Sequence, residues 1–403
     1  MAAAVRAVPL FGGRQSIPFA FYRSGTSRGL FLLERDVPPK GPDRDALLFK
    51  LMGSGHPQQL EGFGGGCGPT SKAVIVGPHT DPGSVTYMFM QCNVDEAVVD
   101  HSHGDCGNMI AAVAPFALEA GLVPLDAERP LTTVHIHSLS TGSLYSSGVR
   151  TEAYEGGRRV CYDGDLVLPG VPGAGAPVQI TTHGIAGSQT CRLLPTGRLS
   201  DRFDLGPSLG EVEATVVDFA RALILLDARE VLPHFGYGSL QDVTAARVQA
   251  DAGLNAALER VRRMASLAMG MGDCTGKDAP KIALLAPSRE GSGMLSCRYW
   301  VNPERCEMHP TLAMTAAQAV GAACFLGGGV ARGVLAGAAR PSLVEGRSTF
   351  VVEIAHPKGV FPVEVNASAA AAAGEEDLFP HGRPDSASYT STVRPIAEGQ
   401  AFV

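Results

Sequence analysis

Hydrophobic and polar positions along this chain repeat with two periods. Alternation of period two marks strands at residues 86–91, 134–138, 296–301 and 349–354. Apolar residues recurring at helical spacing mark helices at 108–120, 255–269 and 311–326. Between them, 49 glycines and 28 prolines cut the sequence into short runs. The result is a strand-rich α+β pattern with isolated helices, not regular βαβ alternation.

One stretch occurs twice. Residues 72–78 read KAVIVGP and residues 281–287 read KIALLAP, each a lysine, four apolar residues, one small residue and a proline. Each copy leads into a β-patterned run and then a helix rich in small residues. The first helix begins just after Cys106 and the second just after Met308-His309. Chance is the competing explanation, because a short apolar strand is a common object. Duplication implies two like domains, 1–200 and 201–403, meeting across a cleft into which each sends one helix start.

Composition narrows the partners. With 403 residues, 45% hydrophobic, the chain can bury a large core. A formal net charge of −7 and the lack of any Lys/Arg-rich run argue against nucleic acid. A small anionic substrate held by a few local donors fits. The longest apolar stretch, 311–326, contains Thr315 and Gln318 and falls short of the roughly 20 residues that span a bilayer, so no membrane segment is expected. The first 33 residues lack acids and carry Arg6, Arg14 and Arg23, in the manner of a mitochondrial transit peptide. Gly12-Gly13 and Pro18 interrupt any amphipathic helix there, and the segment reads as a short leader into the first strand. Nine scattered cysteines, an odd number with no CxxC, indicate reduced thiols in a cytoplasmic setting and no zinc site.

Candidate chemistry gathers in a few segments. Residues 61–72, EGFGGGCGPTSK, join glycines that permit close backbone approach (Gly65, Gly66) to donors (Thr70, Ser71, Lys72). The spacing matches neither a P-loop nor GxGxxG, and a strand follows instead of a helix, so a carboxylate cradle is the better reading. A plain glycine turn with a surface lysine is the alternative. Cys106, followed by Gly107 and Asn108, sits at the start of the first apolar helix, where unpaired amides favour a thiolate or a bound anion. Cys92, Cys161, Cys297 and Cys324 lie within regular runs and read as inert thiols. Arg23, Ser24, Gly25, Thr26, Ser27, Arg28 and Gly29 form a donor-rich turn between apolar strands, suited to a carboxylate or else an ordinary hairpin with solvated arginines. His309 is placed at the second helix start as acid/base, anion ligand or cap, with Pro310 a start signal. Lys281 corresponds to Lys72 in the repeat. His101 and His103 read as solvated loop residues.

Taken together these segments resemble the 2-methylaconitate isomerase (PrpF) family, which includes aconitate Δ-isomerases, methylitaconate isomerases and 4-oxalomesaconate tautomerases. The matching stretches are RSGTSRGLF from Arg23, LMGSGHPQQLEGFGGG from Leu51, TSKAVIV from Thr70, CGNM from Cys106, LLPTG from Leu193, APKIALL from Ala279 and TVRPIAEG from Thr392. The resemblance implies the diaminopimelate epimerase-like fold: two similar domains, each a curved, mostly antiparallel sheet wrapped around a central helix. It also implies that Lys72 is the proton-transferring base with Cys106 as its neighbour. Met308-His309 stands where a two-cysteine epimerase carries its second thiol, which argues against an amino-acid racemase.

The implied activity is cofactor-independent isomerisation of unsaturated tricarboxylates, cis-aconitate or 2-methylaconitate, by allylic proton removal and return. A lysine base must be neutral, which partial burial favours. The alternatives are a 4-oxalomesaconate-type keto–enol tautomerase and, from a different class, a non-catalytic carboxylate-binding protein. No metal, nucleotide or pyridoxal group is called for, and a homodimer is compatible with the sequence.

Overall fold

The computed structural model describes residues 16–97, 99–100, 104–207, 209–277, 279–289, 293–335, 344–369 and 375–403. Residues 1–15, His101 and His103 lie outside the described residues. The chain divides into two compact units, Met1–Ile180 with Thr390–Val403, and Thr181–Tyr389.

In the first unit, strands Ser16–Ser24 and Ser27–Leu33 form an antiparallel hairpin closed at the Ser24 and Ser27 pair. Strand Ser27–Leu33 then runs parallel to Lys72–Pro78, with Gly29 opposite Lys72. Lys72–Pro78 pairs antiparallel with Ser84–Cys92, which lies parallel to Leu131–Ser138, itself antiparallel to Leu144–Tyr154. Residues 393–402 complete the edge along Ser16–Ser24. Six of the seven residues of Lys72–Pro78 are buried, because helices cover both faces of this sheet. Leu30, Leu32, Ala73 and Ile75 pack with Leu48, Leu51 and Met52 of helix Pro42–Met52. From the other face Phe31 meets Phe116 of helix Val113–Glu119, ring centroids 5.6 Å apart.

The second unit repeats the order of pairings: Glu211–Phe219 antiparallel to Arg221–Asp227, parallel to Lys281–Pro287, antiparallel to Leu295–Asn302, parallel to Arg347–His356 and antiparallel to Gly359–Ser368. Here Leu223 stands opposite Lys281. Ile224, Leu226, Ile282, Leu284 and Trp300 face Leu254, Leu258 and Val261 of helix Ala252–Ala268. Leu223, Leu225, Ala283 and Leu285 face Ala316, Ala319, Val320 and Ala323 of helix Met314–Ala323. The architecture is a sheet-rich α and β mixture, and each unit carries parallel as well as antiparallel neighbours.

The period-two runs all fall inside observed strands, whereas the helices differ in instructive ways. The second expected helix begins slightly earlier, capped by Asp251, whose carboxylate accepts the Leu254 N–H at 2.9 Å. The first is broken into Gly107–Ile110 and Val113–Glu119. Pro115 is the reason: it has no N–H to give the carbonyl four residues back, at Ala111, where the break falls. The third starts at Met314, not 311, so His309 precedes the helix rather than heading it.

Arg262 is a buried charge of the second unit held by several partners. Its side chain, 2% exposed, forks onto Glu259 at 2.6 and 2.9 Å and donates to the Cys274 and Lys277 carbonyls at 3.1 and 3.2 Å. It therefore ties helix Ala252–Ala268 to the segment leading into Lys281. Arg262→Ala should cost about 3–5 kcal/mol, since the Cys274 and Lys277 carbonyls would lose their donor and the buried Glu259 carboxylate would keep only Arg263, at 2.9 Å. Urea denaturation measures it; a loss below about 1 kcal/mol, the range of a surface ion pair, would refute this role.

Candidate functional site

Lys72 opens a strand whose remaining side chains are apolar, so its backbone position is fixed by the sheet and its amine is carried inward. The residue is 8% exposed. Its Nζ donates to Gln91 Oε1 at 2.6 Å and lies 4.9 Å from the centroid of the Phe89 ring. Gln91 is opposite it on the neighbouring strand, and Gln91 Nε2 donates to the carbonyls of Ser71 at 3.0 Å and Gly68 at 3.1 Å. Beside them, burial pushes the Cys92 thiol up to about 12, against the pull of the Lys72 charge, so it stays protonated.

The glycine-rich loop is folded around a second amide. Gln59 Oε1 accepts from Ser71 Oγ at 2.5 Å and from the Gly66 N–H at 2.9 Å, and Gly66 takes a positive φ of 71°. At Gly65 a side chain would lie 2.4 Å from Thr70 Oγ1 and 2.7 Å from Arg28 Nη2. The loop and Arg28 thus meet at a position with room for a side chain only if Thr70 and Arg28 shift. Arg28 Nε is buried with no hydrogen-bond partner among the described residues, a donor left available.

The turn at residues 23–29 packs on the segment after Cys106. Asn108 Oδ1 accepts the Thr26 N–H at 3.3 Å, while Asn108 Nδ2 donates to Thr26 Oγ1 at 3.1 Å and Ser27 Oγ at 3.3 Å. Ser24 Oγ donates to the Asn108 carbonyl. Gly25, at φ 54°, leaves no space for a side chain against Asn108. Arg23 is differently employed: its guanidinium donates to the carbonyl and, at 2.9 Å, the hydroxyl of Thr392, and burial with Arg394 nearby lowers its proton affinity. Of the turn's two arginines, Arg28 is the one with a buried donor lacking a partner among the described residues.

Cys106 precedes a helix of four residues and makes no capping bond with its side chain. A helix so short has little macrodipole. The Cys106 N–H donates to Tyr87 Oη at 3.4 Å, and burial, then Asp105 and Cys106, hold that phenol protonated. Asp105 is turned away, accepting from Ser138 and Tyr145 at 2.7 Å each and from Thr141 at 2.5 Å. Cys106 is half-buried, in contrast to Cys297 and Cys324, which burial pushes up to about 12.

In the second unit Lys281 is buried and its Nζ donates to the Val301 carbonyl. His309 Nδ1 accepts the Thr311 N–H at 3.1 Å, and burial lowers its proton affinity. His356, which sequence pattern did not single out, titrates near about 4 through burial, Arg298 and His309. Gln59, Gln91 and Tyr87 were likewise missed; for Gln91 the available signal was a polar residue in the strand opposite the lysine. Among the described residues His79, Asp81 and His137 offer ligand atoms within 4.8 Å of one another. The two imidazoles are stacked with centroids 3.9 Å apart and planes within 5°, so their lone pairs run parallel instead of converging on one ion.

Comparison with known proteins adds what geometry does not. The model of the family described as PrpF protein matches residues 14–398. The chain is 35% identical to a 4-oxalomesaconate tautomerase of Pseudomonas putida, over 88% of this chain and 90% of that one. It is 31% identical to a 3-methylitaconate isomerase of Eubacterium barkeri, over 96% and 97%. A crystal structure of a methylitaconate-delta-isomerase superposes with a TM-score of 0.77 at 29% identity, covering 97% of this chain and 96% of that one.

The tight approach at Gly65 gives a direct test. Gly65→Ala should displace Thr70 and Arg28 together while leaving the sheet intact, so the thermal midpoint should fall by only a few degrees while substrate KM rises at least tenfold. An unchanged KM would show that the loop touches no substrate.

Proposed function

The chain belongs to the PrpF family and is an isomerase, and from that premise we propose that it moves a proton along an unsaturated tricarboxylate of the aconitate or 2-methylaconitate type, with Lys72 as the base. The observation that carries this reading is the setting of the Lys72 amine: buried, and held by the neutral amide of Gln91 next to an aromatic ring. A carboxylate partner would fix the ammonium form, and Gln91 carries no charge to do so.

The chemistry follows from the substrate. Removing a proton from carbon conjugated through C=C to a carboxylate gives an extended dienolate, in which the former double bond rotates or shifts before the proton returns. The step is redox-neutral, and its demand is for stabilisation of negative charge in the transition state. Arg28, with a buried Nε donor unused, and the Gly65, Gly66, Thr70 and Ser71 loop beside it supply that on one side. The Cys106 thiol supplies it on the other. Two like domains of diaminopimelate epimerase-like fold are the framework in this reading, supported by the identical order of strand pairings in the two units.

A second reading, keto–enol tautomerisation of a 4-oxalomesaconate-like acid by the same residues, is favoured by the 35% identity to a tautomerase. Proton NMR time courses in D₂O with cis-aconitate, 2-methyl-cis-aconitate and 4-oxalomesaconate separate the two. Turnover of none of the three would remove both.

Lys72 and Cys106 should behave unequally. Lys72→Ala should abolish both isomerisation and deuterium uptake, a loss at or beyond the upper end of the roughly 10²–10⁴-fold typical of general-base removal. Cys106→Ser should keep measurable activity and Cys106→Ala less. If Lys72→Ala exchanges at near the parent rate while Cys106→Ser is dead, the thiolate is the base. Arg28→Ala should lower kcat as well as raise KM, because the same donor meets the substrate carboxylate in the ground state and the dienolate charge in the transition state.

A further inference from the structure

The two units place different residues beside their lysines. Lys281 lies one residue beyond the Ile282 and Trp300 pair, and its amine donates to a main-chain carbonyl, that of Val301. Lys72 faces Gln91, and its amine donates to a side chain. The strand order is the same, and the position opposite the lysine holds a glutamine in the first unit.

We propose that Gln91 is the positioning residue of the Lys72 site, its carbonyl end orienting the amine and its amide end binding the carboxylate-cradling loop, so that base and cradle are set by one rigid group. This rests on the reading of Lys72 as the base. The Oε1 contact is 2.6 Å, and Nε2 reaches the Ser71 carbonyl at 3.0 Å and the Gly68 carbonyl at 3.1 Å. The planar amide fixes the distance between those two ends. A free lysine side chain has four torsions to search, and holding its tip in one geometry removes that search from the reaction.

The choice of amide over acid has its own consequence. Glutamate has the same shape but gives up the two bonds to the Ser71 and Gly68 carbonyls and favours the ammonium, the form that cannot accept a proton. The other groups around the amine are the Phe89 ring, the protonated Cys92 thiol and, acting on that thiol from helix Pro42–Met52, Asp45. Arg28 approaches the loop at Gly65. Gln91 is the neutral acceptor in contact with the amine.

The test is the pH profile of kcat/KM for Gln91→Glu and Gln91→Met, measured by proton NMR in D₂O with cis-aconitate and 4-oxalomesaconate, beside Lys72→Ala. In Gln91→Glu the acidic limb should move up by about 1–3 pH units, because an opposite charge in contact favours the charged amine. The rate at pH 7 then falls tenfold or more and recovers toward high pH. Gln91→Met, without acceptor or loop ties, should lower kcat at every pH with no upward movement of the limb. A purely structural residue would lower both variants without separating their limbs. Superposition of both profiles on the parent, with Lys72→Ala inactive, overturns the role of Gln91 and leaves Lys72 standing as base. Deuterium exchange by Lys72→Ala at near the parent rate overturns the underlying assignment instead, and the inference with it. Thermal unfolding of each variant guards against misfolding, and Gln91→Met decides the matter if Gln91→Glu does not fold.

Discussion

The Lys72 site is organised around a point where no side chain fits. A Cβ at Gly29 would stand 2.3 Å from the Lys72 carbonyl and 2.8 Å from the terminal methyl of Met109. This single close approach lets the first hairpin lie parallel to the Lys72 strand while the segment after Cys106 presses on the same spot. The donor-rich turn, the lysine and the cysteine segment are therefore neighbours by backbone geometry, before any polar contact is counted. Asn108 then locks the turn, and its bonds to Thr26 and Ser27 are available only because the backbone has already been brought close.

A common device runs through the site: neutral amides, and not charges, do the arranging. Gln59 holds the glycine loop, Gln91 holds the lysine and Asn108 holds the turn. The nearby carboxylate, Asp105, is occupied by three hydroxyl donors. For the proposed reaction, a polycarboxylate substrate with Lys72 as base, this division is physically sensible. Fixed negative charge near the base would repel the substrate and hold the lysine protonated, while amides orient without either effect.

What the sequence disclosed, and what it hid, follows from the range of the forces involved. The KAVIVGP and KIALLAP strands were legible because both faces of each are buried, and burial leaves an unbroken apolar signature. The Gly-rich loop and the Arg23 turn were legible through donors and glycines in close succession. The break at Ala111 could have been read from Pro115, since the lost hydrogen bond is local. The true start of the third helix was obscured by residues 309–313, apolar enough to extend the pattern without being helical. Gln59 and Gln91 escaped notice because each is a single polar residue whose partners are distant in sequence or on the neighbouring strand. Strand register, which alone puts Gln91 opposite Lys72, is a property of the folded sheet. Likewise the commitment of Arg23 to Thr392 joins residues at opposite ends of the chain, beyond the reach of any local pattern.

The edge strand formed by residues 393–402 has a bearing on how the molecule is made. The first unit comprises residues up to Ile180 and then residues from Thr390 onward. A ribosome therefore delivers the last piece of this unit only after the whole of the other has emerged, roughly 10–50 s later at about 5–20 residues per second. Throughout that interval strand Ser16–Ser24 lacks the neighbour that later covers it, and Arg23 lacks Thr392. The nascent chain must carry an open sheet edge through most of its own synthesis, a hazard for edge-to-edge association between neighbouring chains on one messenger. The half that bears Lys72 is begun first and finished last.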